Sequence, residues 1–435
     1  MEPSTTPNVR SNEAGNESVG NTHRVLIIVE NLPVPLDRRV WQEATTLRDA
    51  GYTVSVICPK GVRYQAAQEV VDGIHIFRHP LPVEADRALG YALEYGSALF
   101  WELVLAIRVY RTVGFDVIQA CNPPDTIFLL ARLFKLFAGT PFIFDHHDIN
   151  PELYEAKFGK QGFFHRLLLR LERWTFRTAD ASIATNETFA EIAVDRGGMD
   201  PSNVFIVRSI PDLTRFKRIA ANDKLRNGRK HLLGYVGIIG AQDGVDLLIH
   251  AMSEIVHNHG RQDIQCAIVG SGTEIEALQK LSAVLDVKNN VTFTGFLSGE
   301  DLLAAFSTFD VGVIPDPKNT YNDKISMNKV FEYMTLGIPF VQFDLDMGSR
   351  LAQDAALYAR DNDPKDLANR LMELVDNPAK REEMSSIGLA RADQELNWTR
   401  EQAELLAAYD CAFAAPKSKP AKPNLPASKP TTATD

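Results

Sequence analysis

The sequence predicts an α/β protein made of two doubly wound parallel-sheet domains that face each other across a cleft. Short apolar runs typical of buried strands alternate with longer helical patterns from residue 24, and the alternation starts again at residue 231. A polar, basic stretch at 218–231 separates the two series. Such alternation indicates parallel sheets covered on both faces, with ligands beyond the carboxyl ends of the strands.

The elements of the first series follow in order along the chain. Strands are predicted at RVLIIVE, TVSVICP, FDVIQACN, PFIFDHHD and ASIATN, because these short runs are rich in β-branched and aromatic residues. Helices are predicted at RRVWQEATTLRDAG, DTIFLLARLFKLFAG and FFHRLLLRLERWTFRTA, where apolar residues recur with helical spacing. Gly51 closes the first of these helices.

The second series repeats the pattern. Strands are predicted at LLGYVGII, IQCAIVGSG, VTFTGF, VGVIP and FVQF. Helices are predicted at GVDLLIHAMSEIVHNHG, EIEALQKLSAVLD, GEDLLAAFSTF, NKVFEYMTLG and in PKDLANRLMELVDNPAKREEMSSIG.

Two domains and two tails are expected from these patterns. We predict an N-terminal domain at 23–215, a C-terminal domain at 231–395 and a helix at 396–415 that packs back on the first domain. The segments 1–22 and 416–435 are polar or rich in Pro, Lys and Ala, and we expect both to be disordered.

Composition excludes several classes of protein. The chain has 435 residues, 45% of them hydrophobic, as expected for a globular protein of two or three domains. The net charge of −10 argues against non-specific nucleic-acid binding. The four cysteines are scattered, which indicates reduced thiols, and neither a signal peptide nor a membrane-spanning run is visible. We therefore expect a cytoplasmic protein.

Residues 322–344 carry an unusual distribution of charge. A helix is predicted there, with Ser326 or Asn328 as its cap, and Lys324 and Lys329 lie around its first turn. Because a helix N-terminus is partly positive, these lysines are unfavourable unless an anion binds between them. The segment therefore predicts an anion site.

Two glycine-rich turns follow strands of the second domain. Gly270 and Gly272 lie in IVGSGTE, which lacks the third glycine of a dinucleotide fingerprint and is either a plain turn or a nucleotide contact. Gly237 and Gly240 lie in GYVGIIGAQDG, where backbone N–H groups could reach a diphosphate. No P-loop signature is present in the sequence.

Polar residues also gather at a strand end in FDHHDINPE. Asp145, His146, His147, Asp148 and Glu152 lie in this segment. Zinc is one interpretation of the paired histidines, but their spacing matches no zinc motif and no cysteine is near. Because adjacent residues at a strand end point to opposite sides, one histidine is expected to face the cleft.

A helix at 163–177 has a basic face. Its arginines are spaced by 4, 3 and 4 residues and are Arg166, Arg170, Arg173 and Arg177. The face is either a solvated surface, or a surface that lies on anionic lipid or near a lipid-diphosphate acceptor.

Taken together, four segments resemble bacterial retaining glycosyltransferases of the GT-B fold, in glycosyltransferase family four. They are NKVFEYMTLGIPFV, GYVGIIGAQDGVDLLI, DPKNTYNDKISMNKV and FDHHDINPELYEAKFG, and the resemblance covers about 24–415. It implies two Rossmann-like domains, a nucleotide-diphospho-sugar in the C-terminal domain and an acceptor in the N-terminal domain. It also implies retention of the anomeric configuration and no metal or other cofactor.

The resemblance assigns roles to residues of the C-terminal domain and marks two departures. Glu332 matches the acid that binds the ribose hydroxyls, whereas Lys324 replaces the first acid of the family's Glu-x7-Glu motif. Ile238 and Asp243 stand where an Arg and a Lys often hold the diphosphate. We therefore predict that Lys324 and Lys329 hold the diphosphate, assisted by the helix dipole and the turn containing Gly237 and Gly240.

In the N-terminal domain the resemblance points to a histidine. His147, followed by Asp148, matches the position that lies near the transferred sugar, and we predict that these two residues act in catalysis. Ser209 and Ile210 replace an Asn-Gly pair, so the loop between the domains is expected to differ from that of relatives.

The leading hypothesis is a glycosyltransferase in exopolysaccharide, capsule or cell-wall glycan assembly. Its partners would be a nucleotide-diphospho-sugar, a glycan or lipid-linked acceptor, and the anionic inner leaflet at Arg166, Arg170 and Arg173. Two alternatives are a sugar-nucleotide epimerase of the same fold and a non-catalytic homologue in a polysaccharide-synthesis complex.

Overall fold

Two α/β domains, each with its own sheet, form the structure. The computed structural model describes residues 23–80, 88–213 and 216–415, with side chains placed except at 88–95. The sheets confirm the predicted fold class. The predicted tails at 1–22 and 416–435 lie outside the described residues.

The N-terminal sheet has the order β3-β4-β2-β1-β5-β6-β7-β8. Its strands are β1 (Arg24–Ile28), β2 (Thr53–Pro59), β3 (Gln68–Val71), β4 (Ile74–His79), β5 (Val117–Cys121), β6 (Phe142–His146), β7 (Ala181–Ala184) and β8 (Val204–Ile206). All neighbours are parallel except β3 and β4, which form an antiparallel hairpin at the edge. The sequence analysis did not predict this hairpin, because β3 is largely exposed and carries no clear apolar pattern.

Helices cover both faces of this sheet. They are α1 (Arg38–Asp49), α2 (Ala88–Thr112), α3 (Phe128–Ala138), α4 (Asn150–Phe158), α5 (Phe163–Thr178) and α6 (Glu187–Glu191), which continues as a π-helical turn at Ile192–Arg196. One apolar core lies between the sheet and α1, and the other lies between the sheet and helices α2, α3 and α5. The sequence analysis did not identify α2 or α4.

The C-terminal sheet is parallel throughout, with the order β11-β10-β9-β12-β13-β14. Its strands are β9 (His231–Val236), β10 (Ile264–Val269), β11 (Val291–Gly295), β12 (Val311–Ile314), β13 (Phe340–Phe343) and β14 (Ala356–Ala359). Its helices are α7 (Val245–Ser253), α8 (Ile275–Val284), α9 (Gly299–Thr308), α10 (Asn328–Thr335), α11 (Asp346–Ala352), α12 (Pro364–Asp376) and α13 (Pro378–Gln394).

The last helix, α14 (Trp398–Ala414), returns to the N-terminal domain. Leu405 and Tyr409 are fully buried in the core that the sheet shares with α1. The Tyr409 hydroxyl donates a hydrogen bond to Gln119 Oε1, and the Glu401 carboxylate accepts from the Arg208 backbone N–H at 2.6 Å. The chain therefore crosses between the domains twice.

Each sheet has one point where the strand order reverses. In the N-terminal sheet it lies between β1 and β5, and in the C-terminal sheet between β9 and β12. Crevices at such points, beyond the carboxyl ends of the strands, are the usual ligand sites of open α/β sheets. The functional site is therefore expected near the loops that follow β1, β5, β6, β9 and β12.

Candidate functional site

A buried cluster of charges lies at the carboxyl end of the N-terminal sheet. The Arg39 guanidinium, near the start of α1, donates to Asp145 Oδ1 at 2.9 Å and lies 3.1 Å from Glu43 Oε1. Gln119 donates to both carboxylates, at 2.7 Å to Glu43 and 2.9 Å to Asp145. These side chains are almost completely buried, so each depends on the others for its polar partners.

Burial and neighbouring charges shift the pKa values of the two carboxyl groups of this cluster in opposite directions. Burial opposes ionisation of Asp145, but Arg39 and His147 hold its pKa well below its usual range. Burial, followed by the charge of Asp145, raises the pKa of Glu43 to about 8. At neutral pH the cluster therefore contains a charged Asp145 and a protonated Glu43.

His147 lies at the edge of this cluster, with its side chain 14% exposed. Its Nε2 lies 2.9 Å from Arg39 Nε and 2.8 Å from Asp145 Oδ2. One nitrogen cannot accept from Arg39 and donate to Asp145 at once, so a ring with a proton on Nε2 bonds Asp145, and only the neutral tautomer with its proton on Nδ1 accepts from Arg39. Burial lowers the pKa of His147, but Asp145 more than offsets this and raises it.

The loop after His147 is fixed by Asn122, which follows β5. Its side-chain oxygen accepts from the backbone N–H groups of His147 and Asp148, at 2.7 and 3.1 Å. The Asp148 carboxylate accepts from the hydroxyl of Tyr321 at 2.8 Å, and Tyr321 belongs to the C-terminal domain. Burial raises the pKa of Asp148. Both predicted catalytic residues thus lie on the side of the domain that meets its neighbour.

In the C-terminal domain the glycines bring two loops together. A Cβ at Gly270 would lie 1.8 Å from the carbonyl oxygen of Gly237, and a Cβ at Gly272 would lie 2.1 Å from that of Ile239. The Gly240 N–H donates to the Asp243 carboxylate at 2.9 Å. Contact between the loops after β9 and β10 is therefore sufficient to explain Gly270 and Gly272 without a ligand.

Lys329 lies in the first turn of α10, beneath the loop after β9. Its Nζ lies 3.0 Å from Asp316 Oδ2 and 5.0 Å from the centre of the Tyr235 ring. Burial lowers the pKa of Lys329, but Asp316 and Tyr235 offset this, and the pKa is raised. The lysine is therefore a fixed positive charge at the carboxyl end of the C-terminal sheet.

The start of α10 differs from the predicted cap. Met327 occupies the cap position, and among the described residues no side chain accepts a hydrogen bond from the first turn. The Ser326 hydroxyl instead accepts from Asn186 of the N-terminal domain at 3.0 Å, and Asn328 is already the first residue of the helix. The prediction that Ser326 or Asn328 caps the helix is therefore wrong, because tertiary contact with Asn186 replaced the local bond.

Lys324 lies in the loop before α10 and reaches the N-terminal domain. Its Nζ lies 3.0 Å from Glu152 Oε1, and the same carboxylate is bound by Arg196 at 2.7 Å. The backbone oxygen of Lys324 accepts from Asn186 at 3.0 Å. In this structure the lysine therefore joins the two domains, and it pairs with a different carboxylate from Asp316, the partner of Lys329.

Glu332 also bonds across the domains. Its Oε1 accepts from the guanidinium of Arg38 at 2.6 Å, and the carboxylate side chain is 5% exposed whereas that of Arg38 is 61% exposed. The two residues are separated by 294 positions in the sequence. Sequence analysis identified Glu332 but not Arg38, Tyr321 or Asp316. A local sequence pattern does not predict which residue far along the chain will contact a given side chain.

The basic helix face lies on α5. Arg166, Arg170 and Arg173 are exposed, as is Arg177. Glu172, Thr175 and Phe176 form the buried side of the helix, whereas Trp174 is 47% exposed. The apolar side expected from the sequence is therefore only partly used in the core.

Two family models match the chain on either side of the loop between the domains. A glycosyl transferase 4-like domain matches residues 36–208, and glycosyl transferases group 1 match residues 230–377. The chain belongs to the GT-B glycosyltransferases of the family-four type. In the described residues of this glycosyltransferase, no helix has the length and apolar character required to cross a membrane.

This glycosyltransferase is similar to two bacterial proteins over most of its length. It is 24% identical to the alpha-D-kanosaminyltransferase of Streptomyces kanamyceticus, over 72% of this chain and 82% of that one. It is 22% identical to spore coat protein SA of Bacillus subtilis, over 88% and 98%.

Solved structures share its fold. Sucrose-phosphate synthase from Thermosynechococcus elongatus superposes with a TM-score of 0.74 at 18% identity, covering 91% of this chain and 100% of the other. Anabaena HepE in complex with UDP and glucose superposes with a TM-score of 0.68 at 15% identity, covering 89% and 99%.

The buried carboxyl of Glu43 predicts a measurable pH dependence of stability. Its folded-state pKa of about 8 lies above its ordinary value of 4.5, so its contribution is full below pH 4.5 and is lost as the pH rises through 8. Glu43→Gln stays neutral, and between pH 5.5 and 8.5 it should lose on the order of 2 kcal/mol less stability than the wild type. Urea unfolding at several pH values measures this.

Glu404→Gln, at an exposed position of α14, is the matched control and should follow the wild-type pH profile. Parallel profiles for Glu43→Gln and wild type would contradict a protonated Glu43.

Proposed function

We propose that this glycosyltransferase moves a sugar from a nucleotide-diphospho-sugar to a glycan or lipid-linked acceptor with retention of configuration. The proposal rests mainly on one observation: Arg38, beside the buried N-terminal cluster, contacts Glu332 of the C-terminal domain at 2.6 Å. The polar groups of the two domains thus meet at one place. A transferase needs this arrangement, since donor and acceptor must be held together.

The donor would bind along the start of α10. The first-turn N–H groups have no side-chain cap in the part of the chain that the structure describes, and Lys329 is a buried cation beside the loop containing Gly237. Both features favour a diphosphate. The ribose hydroxyls would replace Arg38 at Glu332, and the UDP in the HepE structure supports a nucleoside diphosphate as the ligand class.

Catalysis would then depend on fixed charges. Lys329 and the helix dipole would stabilise the departing diphosphate, as a metal ion does in other transferases. In the tautomer whose Nε2 accepts from Arg39, His147 carries its proton on Nδ1 and would donate it in a hydrogen bond to a sugar hydroxyl. Lys324 would break its ion pair with Glu152 and move to the phosphates, where it would assist Lys329.

The acceptor side is proposed to meet an anionic membrane. Aromatic residues beside the arginines of α5 are exposed, with Phe163 at 64%, Phe164 at 50% and Trp174 at 47%. A groove of about 620 Å³ between α3 and α5 has apolar walls and basic residues, and is lined by Phe128, Leu129, Arg132, Lys135, Leu136, Trp174, Arg177 and Thr178. Exposed aromatics with arginines favour an anionic lipid surface and a lipid-linked acceptor in polysaccharide assembly on the cytoplasmic side.

A donor screen with Glu332→Ala as the test variant addresses the transferase proposal. Nucleotide sugars carrying UDP, GDP, ADP or dTDP should include one that raises the melting temperature of the wild type. Glu332→Ala should bind this donor at least tenfold more weakly, because it loses hydrogen bonds to a charged group. Unaltered affinity of the variant would contradict the ribose role.

The products formed when the protein is incubated with the nucleotide sugar alone distinguish the alternatives. An epimerase would convert the donor to an isomer without an acceptor, and a non-catalytic homologue would bind no donor.

Lys329 provides a sharper test of the diphosphate site. Lys329→Gln should weaken binding of the nucleoside diphosphate at least tenfold but that of the matching nucleoside by less than about threefold, because only the former carries the charge. Isothermal titration with both ligands measures this. Lys288→Gln, at an exposed lysine of the same domain, should change neither affinity, and equal losses for both ligands in Lys329→Gln would place the phosphates elsewhere.

Vesicle binding tests the membrane proposal. The protein should co-sediment with vesicles containing phosphatidylglycerol but not with pure phosphatidylcholine, and about 0.5 M salt should release it. A triple variant of the α5 arginines should lose binding: Arg166→Gln, Arg170→Gln and Arg173→Gln.

A matched triple variant at exposed arginines elsewhere should keep it: Arg63→Gln, Arg350→Gln and Arg360→Gln. Equal loss in both triple variants would mean that net charge alone governs the attraction.

A further inference from the structure

A second cluster of ionisable side chains lies in the N-terminal domain, apart from Arg39 and His147. It consists of Glu30, just after β1, His79, at the end of β4, and Glu102, on α2. Their ligand atoms all lie within 4.8 Å of one another. His79 and Glu102 are each 1% exposed, and the Glu30 side chain is 10% exposed.

The hydrogen bonds of His79 determine what this cluster can bind. Its Nδ1 lies 2.9 Å from the carbonyl oxygen of Pro80, which can only accept, so Nδ1 carries the proton. In the neutral ring Nε2 therefore carries a lone pair and can only accept a hydrogen bond. It lies 3.2 Å from Glu30 Oε2, which is also an acceptor. Either a proton on Nε2, which makes His79 an imidazolium paired with Glu30, or a metal ion is required between these two atoms.

Glu102 adds to this requirement. Neither of its carboxylate oxygens has a hydrogen-bond partner among the described residues, although both are buried. An unpaired buried carboxylate is costly, and it is neutralised either by a proton or by a cation. Burial, followed by the charge of Glu30, raises the pKa of Glu102, so a proton shared by the two acids is the competing state.

We propose that Glu30, His79 and Glu102 bind one divalent transition-metal ion, such as Zn²⁺, with water as a further ligand. Zinc takes imidazole nitrogen together with carboxylate oxygen, and tetrahedral ligand atoms at its usual bond lengths lie roughly 3.3 Å apart. The separation of 3.2 Å between Nε2 and Oε2 fits this geometry.

Two further features favour a metal ion over an organic cation. The Nδ1–H bond to a backbone carbonyl is the orientation that metal-binding histidines usually show. His79 and Glu102 are also each only 1% exposed, so neither is open to a substrate amine that binds from solvent.

The other metal-competent cluster of the described residues supplies a contrast. Cys121, Asp145 and His147 also lie within ligand distance of one another. There, however, the Arg39 guanidinium bonds Asp145 at 2.9 Å and already supplies the positive charge. No cation of that kind contacts Glu102 in the described residues.

A metal at this position would act as a structural link. It would tie the loop after β1 to β4 and α2, and that loop leads directly into α1, which begins with Arg38 and Arg39. The ion would thus stabilise the N-terminal domain without taking part in sugar transfer.

Zinc binding by the untagged full chain tests this inference. After dialysis against a chelator, the protein should take up one Zn²⁺ per chain by elemental analysis, its melting temperature should rise, and Co²⁺ should give visible absorption bands. Glu102→Gln, which keeps the shape of the side chain, should fold, lose the stoichiometric zinc and lose the zinc-induced rise in melting temperature. His79→Gln should behave in the same way.

Cys121→Ser, in the contrasting cluster, is the control and should bind zinc like the wild type. The inference is overturned if the wild type takes up no stoichiometric zinc, if Glu102→Gln keeps it, or if Cys121→Ser loses it. A melting temperature of metal-free Glu102→Gln that equals or exceeds the wild-type value would show that zinc loss is not a consequence of misfolding.

Discussion

The architecture of the site depends on the burial of one guanidinium, that of Arg39. It bonds Asp145 at the end of β6 and donates to the Val207 carbonyl at 2.7 Å, where the chain leaves the N-terminal sheet. It also contacts His147. A single side chain therefore aligns α1, the central strands and the start of the connection between the domains. Because a buried charge tolerates no loss of a partner, these elements are held in one arrangement.

The contacts between the domains build on that arrangement. Arg38 adjoins Arg39 at the start of α1, so the position of the buried arginine also directs its neighbour toward Glu332. Tyr321 meets Asp148, whose loop is held by the same strand end as His147. Two of the interdomain bonds, Arg38–Glu332 and Asp148–Tyr321, thus begin at residues adjacent to the buried cluster. Polar groups that line the cleft therefore also hold the two domains in position.

The sequence was sufficient for the fold class because strand and helix periodicities are local. It also placed His147, Asp148 and Glu332 in segments that meet between the domains. It did not predict the β3–β4 hairpin, whose outer strand is exposed, and it did not predict the partners of Lys324 or Glu332. Those partners lie on another domain, and no propensity or spacing encodes which surfaces will meet. The missing cap of α10 has the same origin, since Asn186 approaches from across the cleft.

The return of α14 to the N-terminal domain has a mechanical consequence. With Tyr409 anchored beside Gln119, the polypeptide passes between the two halves once after β8 and once between α13 and α14. With two covalent connections, one domain can rotate relative to the other mainly about the line that joins the connections. Twisting and sliding of one half over the other are restricted. Opening the cleft then becomes mainly a rotation about that line, and it must separate the ion pairs Arg38–Glu332 and Lys324–Glu152.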